Sequence, residues 1–321
     1  MAYMSRADAL TFIIEQRSPE IIQQATQRSV ALSTFRTIPV SSSTLRLSMA
    51  DAFPQAQWLM PGVAPDDDVD IAVKPQTQMA WTQGDILVEE AAAIAIIPEN
   101  VLDDASGEID LMAQVEERVA ESVAVLIDQT FFFGTAPVGG VPASFPVGGL
   151  VGRAKAHAHE YVWGTNDASE DIAEAWSATM ELVEDDNFDV AQSYAARSIR
   201  GQLRTMRNAN GDPLYVTNLA GGGPTDMMYG VPINYMTNGT WDKAQSLALM
   251  GDPQYAVIAM RQRLTAKPLD QATLTGFGNL AERDAVALRV KTRLGFGILV
   301  PKGLGQSADP FPFATLGPKG P

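Results

Sequence analysis

The 321-residue sequence contains no cysteine and only two histidines. The missing thiols exclude disulfide bonds, thiolate metal sites and cysteine nucleophiles. Long apolar runs are also missing, because the longest, from Ala91 to Ile97, is far shorter than the ~20 residues that cross a bilayer. We therefore predict neither a membrane span nor a secretory signal, and stability has to come from packing and from partner chains.

Positive charge is scarce. The 23 Lys and Arg residues face 38 Asp and Glu residues, for a formal net charge of -15. A field of this sign repels phosphate backbones, so we expect no sequence-specific binding of nucleic acid. The same negative sign suits the wall of a DNA container.

The hydrophobic fraction of 46% is enough for a sizeable core in one large or two modest lobes.

The first hundred residues predict a short helix and then a long two-stranded arm. Ser18-Pro19-Glu20 has the pattern of a helix start. From Thr44 the apolar residues alternate with polar ones, which predicts a strand, and a returning partner is predicted over 81–97. The segment between them is rich in Pro, Gly and Asp and is expected to form the arm tip. Because an isolated hairpin is marginal in water, the arm is expected to lie against another copy of the chain.

The clearest helix is predicted over 109–131, where apolar residues recur at spacings of three and four. It ends in Phe131-Phe132-Phe133-Gly134 and is followed by a Gly/Pro-rich stretch to Gly152, interpreted as a surface loop or a domain crossing. A second helix is expected after Asp167-Ala168-Ser169-Glu170, which has capping-box spacing, and a third over 198–207. Strands are predicted over 214–216, 231–236, 255–260 and 286–301, before a Gly/Pro-rich tail.

Several short segments occur in an order that is familiar from one family. They are Thr82 to Ala105, Phe132-Phe133-Gly134-Thr135, Asn210-Gly211-Asp212-Pro213-Leu214-Tyr215, Tyr229-Gly230-Val231-Pro232-Ile233, Met250-Gly251-Asp252-Pro253 and Glu282 to Pro301. Each motif alone is weak, and the order of all of them carries the comparison. In this order the chain resembles the tailed-bacteriophage major capsid proteins of the Hong Kong 97-type fold.

The resemblance implies an α+β fold with four parts. These are an N-terminal arm at 1–37, an extended two-stranded loop at 38–97, a peripheral domain at 98–150 and 255–321 that contains the spine helix, and an axial domain at 151–254. It also implies pentamers and hexamers that close into an icosahedral shell around phage double-stranded DNA. Such rings use heterologous contacts that close by rotation, and many weak contacts per subunit add up through avidity.

Some members of this family crosslink neighbouring subunits through a Lys–Asn isopeptide bond that a Glu assists. The resemblance places the Asn position on Asp284 and the Glu position on Lys291. A carboxylate lacks the leaving amide and a cation cannot act as the base, so we expect no covalent crosslinking, although Lys74 lies on the arm. The chain starts directly at the arm, which favours a separate scaffolding protein. The resemblance also implies a portal, assembly in the host cytoplasm and a place in the virion capsid, and it leaves a decoration protein open.

The candidate inter-subunit contacts lie on the arm. They are Trp58, Asp66, Asp67, Asp68, Lys74 and Trp81. Aromatic anchors dominate interfaces, so burial of the two tryptophans against another subunit is favoured, with mutual pairing inside the hairpin as the alternative. The acidic run at 66–70 could bind Ca²⁺, but it lacks the glycine and the terminal Glu of a hand-type loop. A solvated tip or a contact with a basic neighbour is the favoured interpretation.

The two histidines, His157 and His159, could form a metal or catalytic pair beside Glu160. No third ligand, nucleophile or orienting partner can be assembled around them from the sequence, so we expect no catalytic residue, metal or cofactor. Two other classes of function stay open beside the viral shell. One is an encapsulin-type cellular nanocompartment with the same fold, and the other is a metal-dependent hydrolase around the histidines.

Overall fold

The structure is a computed structural model, and it describes residues 29–52, 56, 58, 80–105, 111–165, 170–206, 227–300 and 309–319. The helix start at Ser18, the strand at 214–216 and the acidic run at 66–70 lie outside this part of the chain. Within it the fold is α+β, as predicted, with two main sheets, a hairpin and one long helix.

The helices, in chain order, are α1 (Val30–Thr34), α2 (Glu99–Ala105), α3 (Leu111–Phe133), α4 (Gly149–Ala156), α5 (Ile172–Glu184) and α6 (Ile199–Thr205). The strands are β1 (Arg36–Pro39), β2 (Thr44–Ala52), β3 (Ala80–Leu87), β4 (Glu89–Pro98), β5 (Glu160–Val162), β6 (Gln192–Ala196), β7 (Met227–Met228), β8 (Val231–Met236), β9 (Ala248–Gly251), β10 (Ala256–Leu269), β11 (Thr273–Leu274), β12 (Gly278–Asn279), β13 (Ala285–Ile298) and β14 (Phe313–Gly317). Short 3₁₀ turns lie at Pro253–Tyr255 and Ala281–Arg283.

The first main sheet has four strands in the order β1-β10-β13-β4. The two long central strands, β10 and β13, pair antiparallel, and β4 adds antiparallel along most of β13. The short β1 pairs parallel with β10 on the opposite edge. This sheet joins strands from distant parts of the sequence, since β1 and β4 come from the first hundred residues and β10 and β13 from 256–298.

Helix α3 covers one face of this sheet. At 23 residues it is about 34 Å long. Its buried residues Val123 and Ile127 share one core with Leu288, Val290 and Phe296 of β13. Side chains alternate along a strand, so the residues of β13 between these positions face away from the helix. We call the side of the four-stranded sheet that faces away from α3 the outer face.

The predicted hairpin arm is confirmed for β2 and β3, which pair antiparallel from Thr44 opposite Leu87 to Ala52 opposite Ala80. The prediction of a single returning strand over 81–97 is wrong. The chain changes sheets at Val88, and β4 pairs with β13 rather than with β2. The buried side chain of Val88 packs with Ile86 under the hairpin base, which fixes the bend.

The second main sheet has six strands in the order β5-β14-β9-β6-β8-β7. Helices α5 and α6 pack on it through Trp176, Ile199 and Leu203. Strand β14 lies inside this sheet, between β5 and β9, although its sequence stands in the Gly/Pro-rich tail. The resemblance implied that 255–321 belongs with the spine helix, whereas the hydrogen bonds of β14 join it to strands from 160–251.

Two local features differ from the sequence expectation. The N-cap of α5 is Asp171, whose side chain accepts a hydrogen bond from Ile172 N at 2.9 Å, four residues beyond Asp167, where the capping-box spacing predicted it. The Gly/Pro-rich stretch after α3, predicted as a loop or domain crossing, contains α4. At its first residue, Gly149, a Cβ would lie 2.7 Å from Phe131 O, so glycine allows α4 to begin close to the end of α3. No helix among the described residues is long and apolar enough to cross a membrane.

Candidate assembly surfaces and the junction at Asp128

The hairpin arm is attached to the body through its base. Two glycines of β13 allow the close approach: a Cβ at Gly295 would lie 2.3 Å from Leu87 O, and one at Gly297 would lie 2.6 Å from Ile86 Cδ1. Ile86 also packs against Val257 of β10 in a small buried cluster. The arm therefore leaves the molecule from the outer face of the four-stranded sheet.

The two tryptophans of the arm are open to solvent in the single chain. Trp58 is 92% exposed and Trp81 is 63% exposed. Neither ring is buried inside the hairpin, so the mutual pairing that the sequence left open does not cover them in this chain. Asp66, Asp67, Asp68 and Lys74 lie outside the described residues. Exposed tryptophans on a protruding arm are typical anchors for a partner.

A row of cations runs along the outer face beyond the hairpin base. Arg289, Lys291 and Arg293 alternate with the buried residues of β13, and Lys267 of β10 stands directly opposite Arg289. We call these four residues the basic face. Four neighbouring positive charges stand out in a chain of net charge -15.

Among the described residues, Glu90 of β4 is the carboxylate that pairs with the basic face. Its Oε2 lies 3.8 Å from Arg293 Nε, and Glu90 stands opposite Arg293 in the sheet register. Further along β4 the exposed side chains are apolar, with Ile94 48% and Ile96 38% exposed. Strand β4 is an edge of the four-stranded sheet, and an apolar edge strand is a surface that soluble proteins usually cover.

Asp128 joins three parts of the molecule at a fully buried point. It lies on α3, and its Oδ1 accepts hydrogen bonds from Ser29 Oγ at 2.7 Å and from Ala31 N at 3.1 Å. Its Oδ2 accepts from Val30 N at 3.2 Å and from Asn238 Nδ2 at 2.6 Å. One carboxylate thus ties the beginning of α1 and the loop after β8 to the spine helix. This residue could not be predicted from the sequence, since a lone Asp on a helix is usually solvated.

Burial raises the pKa of Asp128, while the hydrogen bonds from Ser29, Ala31, Asn238 and Val30 oppose that rise. All four contacts are donors, and a protonated carboxyl would have to place its own O–H against one of them. The arrangement of donors therefore favours the carboxylate form, whereas desolvation destabilises the negative charge. The junction holds only while the donors stay in place.

The two histidines lie on either side of one buried ring. His157 is stacked on Phe311 with 4.6 Å between ring centroids, and its Nδ1 lies 2.8 Å from Asp309 Oδ2. His159 Nε2 lies 3.1 Å from Asp186 Oδ2, and the same oxygen accepts a hydrogen bond from Phe311 N at 2.8 Å. The cluster holds the segment that leads into β14.

Burial lowers the pKa of His159, and the nearby Asp186 opposes this in part. A neutral ring that donates from Nε2 to Asp186 fits the geometry. Each histidine faces a different carboxylate, and the described residues contain no group of three or more His, Cys, Asp or Glu side chains that could hold a metal ion. The arrangement fits a structural clamp.

Solved structures with the same fold come from phage shells. A chain from Microbacterium phage Oxtober96 superposes with a TM-score of 0.79 at 32% identity, over 99% of this chain and 100% of that one. A chain from Mycobacterium phage Bobi gives 0.78 at 27% identity over the whole of both chains. The capsid of a native GTA particle computed with C5 symmetry shares the fold alone, at 16% identity, a TM-score of 0.59 and coverage of 92% and 91%. The fold is that of a shell subunit.

The model of the phage capsid family matches residues 11–305. The chain belongs to the phage capsid family, and it is a major capsid protein that assembles into capsid oligomers of the virion. A search of curated proteins finds no match. The comparisons give no support to the encapsulin-type alternative.

Proposed function

We propose that this protein builds an icosahedral shell of pentamers and hexamers around phage double-stranded DNA. The observation that supports this most is the hairpin arm, which leaves the body from one face and carries exposed tryptophans. A two-stranded arm is marginally stable alone, so it gains from lying on a neighbour. Every subunit of a ring can offer its arm to the next one, which closes the ring by rotation.

The arm supplies the proposed inter-subunit contacts. Trp58 and Trp81 are the proposed anchors, because a large aromatic ring that is exposed in one chain gains most from burial in an assembly. Asp66, Asp67, Asp68 and Lys74 are proposed as polar contacts near the arm tip. Charged groups at such a position act mainly on register and on the choice of partner.

The shell is proposed to mature without covalent crosslinks. Asp284 is exposed and its backbone lies in the left-handed region, with φ of 45°, while Lys291 stands on the basic face. The pair offers neither an amide that can leave as ammonia nor a carboxylate that can act as a base. Non-covalent contacts alone then have to hold the subunits together.

The remaining partners follow from this role. We propose a separate scaffolding protein and a portal, with assembly in the host cytoplasm. The protein itself is proposed to have no catalytic site and no cofactor, because both oxygens of Asp128 and Nε2 of His159 are engaged in structural contacts. The proposed division of the chain is an N-terminal arm, an extended loop, a peripheral domain around α3 and an axial domain around the six-stranded sheet. On this division β14 belongs to the axial domain.

Electron microscopy of the recombinant protein, alone and with candidate scaffolding proteins from the same phage, tests the proposal. We expect closed shells or rings of five and six after size-exclusion chromatography. Trp58→Ala and Trp81→Ala should lower the shell yield, because each removes an aromatic anchor, and Val138→Ala is the matched control, since Val138 is 89% exposed but lies away from the arm. A stable monomer or dimer in every condition would refute the proposed function.

A further inference from the structure

A groove that contains two arginines lies at the β1 edge of the four-stranded sheet. It has a volume of about 650 Å³. Thr37, Pro39 and Ser41 line it from β1 and the segment after it, and Met260, Arg261 and Arg263 line it from β10. None of the described lining residues is acidic. Both arginines are exposed, and neither guanidinium has a hydrogen-bond or ion-pair partner among the described residues. The two cations are therefore available to an anion from outside the chain.

Two irregularities of β10 bring the arginines to this groove. From Met260 to Thr265, β10 advances five residues while its partner positions on β13 advance three. In a regular strand, Met260 and Arg261 would face opposite sides of the sheet. The extra residues form bulges, which bend a strand and re-aim its side chains. As a result Met260, Arg261 and Arg263 line one groove.

The lining chemistry fits the phosphate groups of a nucleic-acid backbone. A guanidinium binds a phosphate through two parallel hydrogen bonds. Hydroxyl groups such as those of Thr37 and Ser41 are also common donors to backbone phosphates. Pro39 and Met260 add apolar walls and no group that reads the edge of a base. The groove can therefore hold a backbone without reading its sequence.

The groove lies on the side of the sheet that the arm does not use. Ile38 packs with Val257 and Ala259 under the hairpin base, on the outer face. Thr37 and Pro39 alternate with Ile38 along β1, so they face the α3 side. Rotation about a ring axis keeps the same side of every subunit facing the same way. When arms lie over the outer faces of a ring, the α3 sides of all its subunits face the opposite way.

We propose that the α3 side faces the interior of the shell and that Arg261, Arg263, Thr37 and Ser41 bind backbone phosphates of the enclosed DNA. The inference rests on the proposed function and deepens it, since it names the surface that meets the DNA. The net charge of -15 repels DNA elsewhere, which confines the contact to one groove in each subunit. Each contact is weak because it neutralises about two phosphates, and many subunits together hold the DNA through avidity.

Fluorescence anisotropy tests this inference, with a labelled DNA duplex of mixed sequence titrated with the unassembled full-length protein at low salt. The groove variant carries Arg261→Gln and Arg263→Gln, and we expect its affinity for the duplex to fall about tenfold or more. A rise in salt from about 50 to 200 mM should weaken wild-type binding roughly tenfold, because two phosphate contacts release about two counterions. The groove variant should lose much less affinity over the same range.

The matched control carries Arg197→Gln and Lys243→Gln, which remove the same charge at two exposed positions outside the groove. Its affinity should stay within about twofold of wild type, because charges far from the contact are screened by salt. A third variant, with Arg261→Lys and Arg263→Lys, should bind better than the groove variant and worse than wild type, since lysine keeps the charge and loses the fork.

Circular dichroism and the melting temperature show whether each variant is folded. A groove variant that does not fold is replaced by the single changes Arg261→Gln and Arg263→Gln. Each should lower the affinity for the duplex about threefold, because each removes about one phosphate contact.

A polyglutamate peptide of the same charge as the duplex distinguishes an acidic protein from DNA. If the peptide binds more tightly than the duplex and loses its affinity in the groove variant, the occupant is a protein and the inference is refuted. The inference is also refuted if wild type does not bind the duplex, or if wild type and the groove variant bind it equally well.

A reconstruction of DNA-filled shells tests the direction of the groove. We expect Arg261 and Arg263 to face the outermost layer of DNA, with density that joins the two, and a groove that opens to the exterior of the shell would refute the inference. If wild type gives no shells or rings with any scaffolding protein, the proposed function fails. That result is distinguishable, since binding of the duplex is measured before assembly.

Discussion

At the scale of single residues, the structure assigns an organising role to Asp128. Four donors from α1, from the residue before it and from the loop after β8 converge on one buried carboxylate. Sequence analysis could not find this residue, because its donors lie about a hundred positions away in the chain. What the sequence did show was the apolar stripe of α3, within which Asp128 is fully buried.

Asp128→Ala leaves several buried donors without an acceptor, so we expect it to lower the free energy of unfolding by about 2–4 kcal/mol. Ser29→Ala removes a single donor and should cost about 1 kcal/mol. In the double variant the cost should be less than the sum, since both changes remove the same contact. Urea unfolding of unassembled subunits measures all three, with the exposed Gln114→Ala on α3 as the control. Additive costs would show that Ser29 and Asp128 act independently.

Because His159 is buried, we expect the free energy of unfolding to decrease at mildly acidic pH. Burial lowers its pKa below the usual 6.5, and Asp186, Asp309 and His157 are the titratable groups that face it. The unfolded chain then binds a proton at a higher pH than the folded chain does. As the pH falls below about 6.5, the free energy of unfolding should fall, and it should stop falling once the folded ring is also protonated.

His159→Gln keeps a donor for Asp186 and removes the titration, so it should remove this part of the pH dependence. The measurement is the difference in melting temperature between wild type and variant from pH 7.5 to pH 5. We expect the melting temperature of the variant to rise relative to that of wild type as the pH falls. Parallel curves over this range would contradict the assignment.

At the scale of elements, the sequence predicted the type of most segments and missed some of their partners. The alternation over β2 and the three-four spacing over α3 are local properties, and both elements are present at close to the predicted positions. Partner choice is not local. The pattern of apolar residues over 81–97 does not show that one strand ends before Val88 and that another, in a different sheet, begins at Glu89. Strand β14 was missed because its flanking Gly and Pro residues resemble a tail.

At the hairpin base, we expect a single added methyl group to lower the stability of the subunit. Gly295→Ala would place a Cβ 2.3 Å from Leu87 O, which is backbone and cannot rotate away. We expect a loss of about 1–3 kcal/mol from the strain of moving the hairpin base, together with fewer shells. Gly140→Ala is the control, because nothing lies within 4 Å of a Cβ there. Thermal unfolding and shell yield report the two effects, and an unchanged Gly295→Ala subunit would show that the base does not need this close approach.

At the scale of the whole molecule, the resemblance of ordered motifs predicted the fold and the family, which the comparisons confirm. The contacts between copies could be predicted only in part. The sequence marked the tryptophans and the acidic run, but it could not show that Lys267 of β10 stands beside the cations of β13 on one face, since the register of the two strands creates that surface.

The proposed absence of crosslinks is a property of the whole shell. Shells boiled in detergent under denaturing conditions should give one band at the mass of a single chain. Lys74→Ala should change neither that pattern nor the ability to close a shell by more than a few-fold, because no bond forms at that side chain. A ladder of higher masses in wild type that disappears in Lys74→Ala would contradict the prediction that Asp284 and Lys291 prevent crosslinking.

We propose that copies of this chain close a shell by laying the hairpin arm of each subunit over the next. A cryo-electron microscopy reconstruction of shells assembled from the wild-type protein tests it most directly. We expect rings of five and six in which β2 and β3 cross onto the outer face of the neighbour, with Trp58 and Trp81 buried there. Arms that stay on their own subunit, with both tryptophans still exposed in a closed shell, would contradict it.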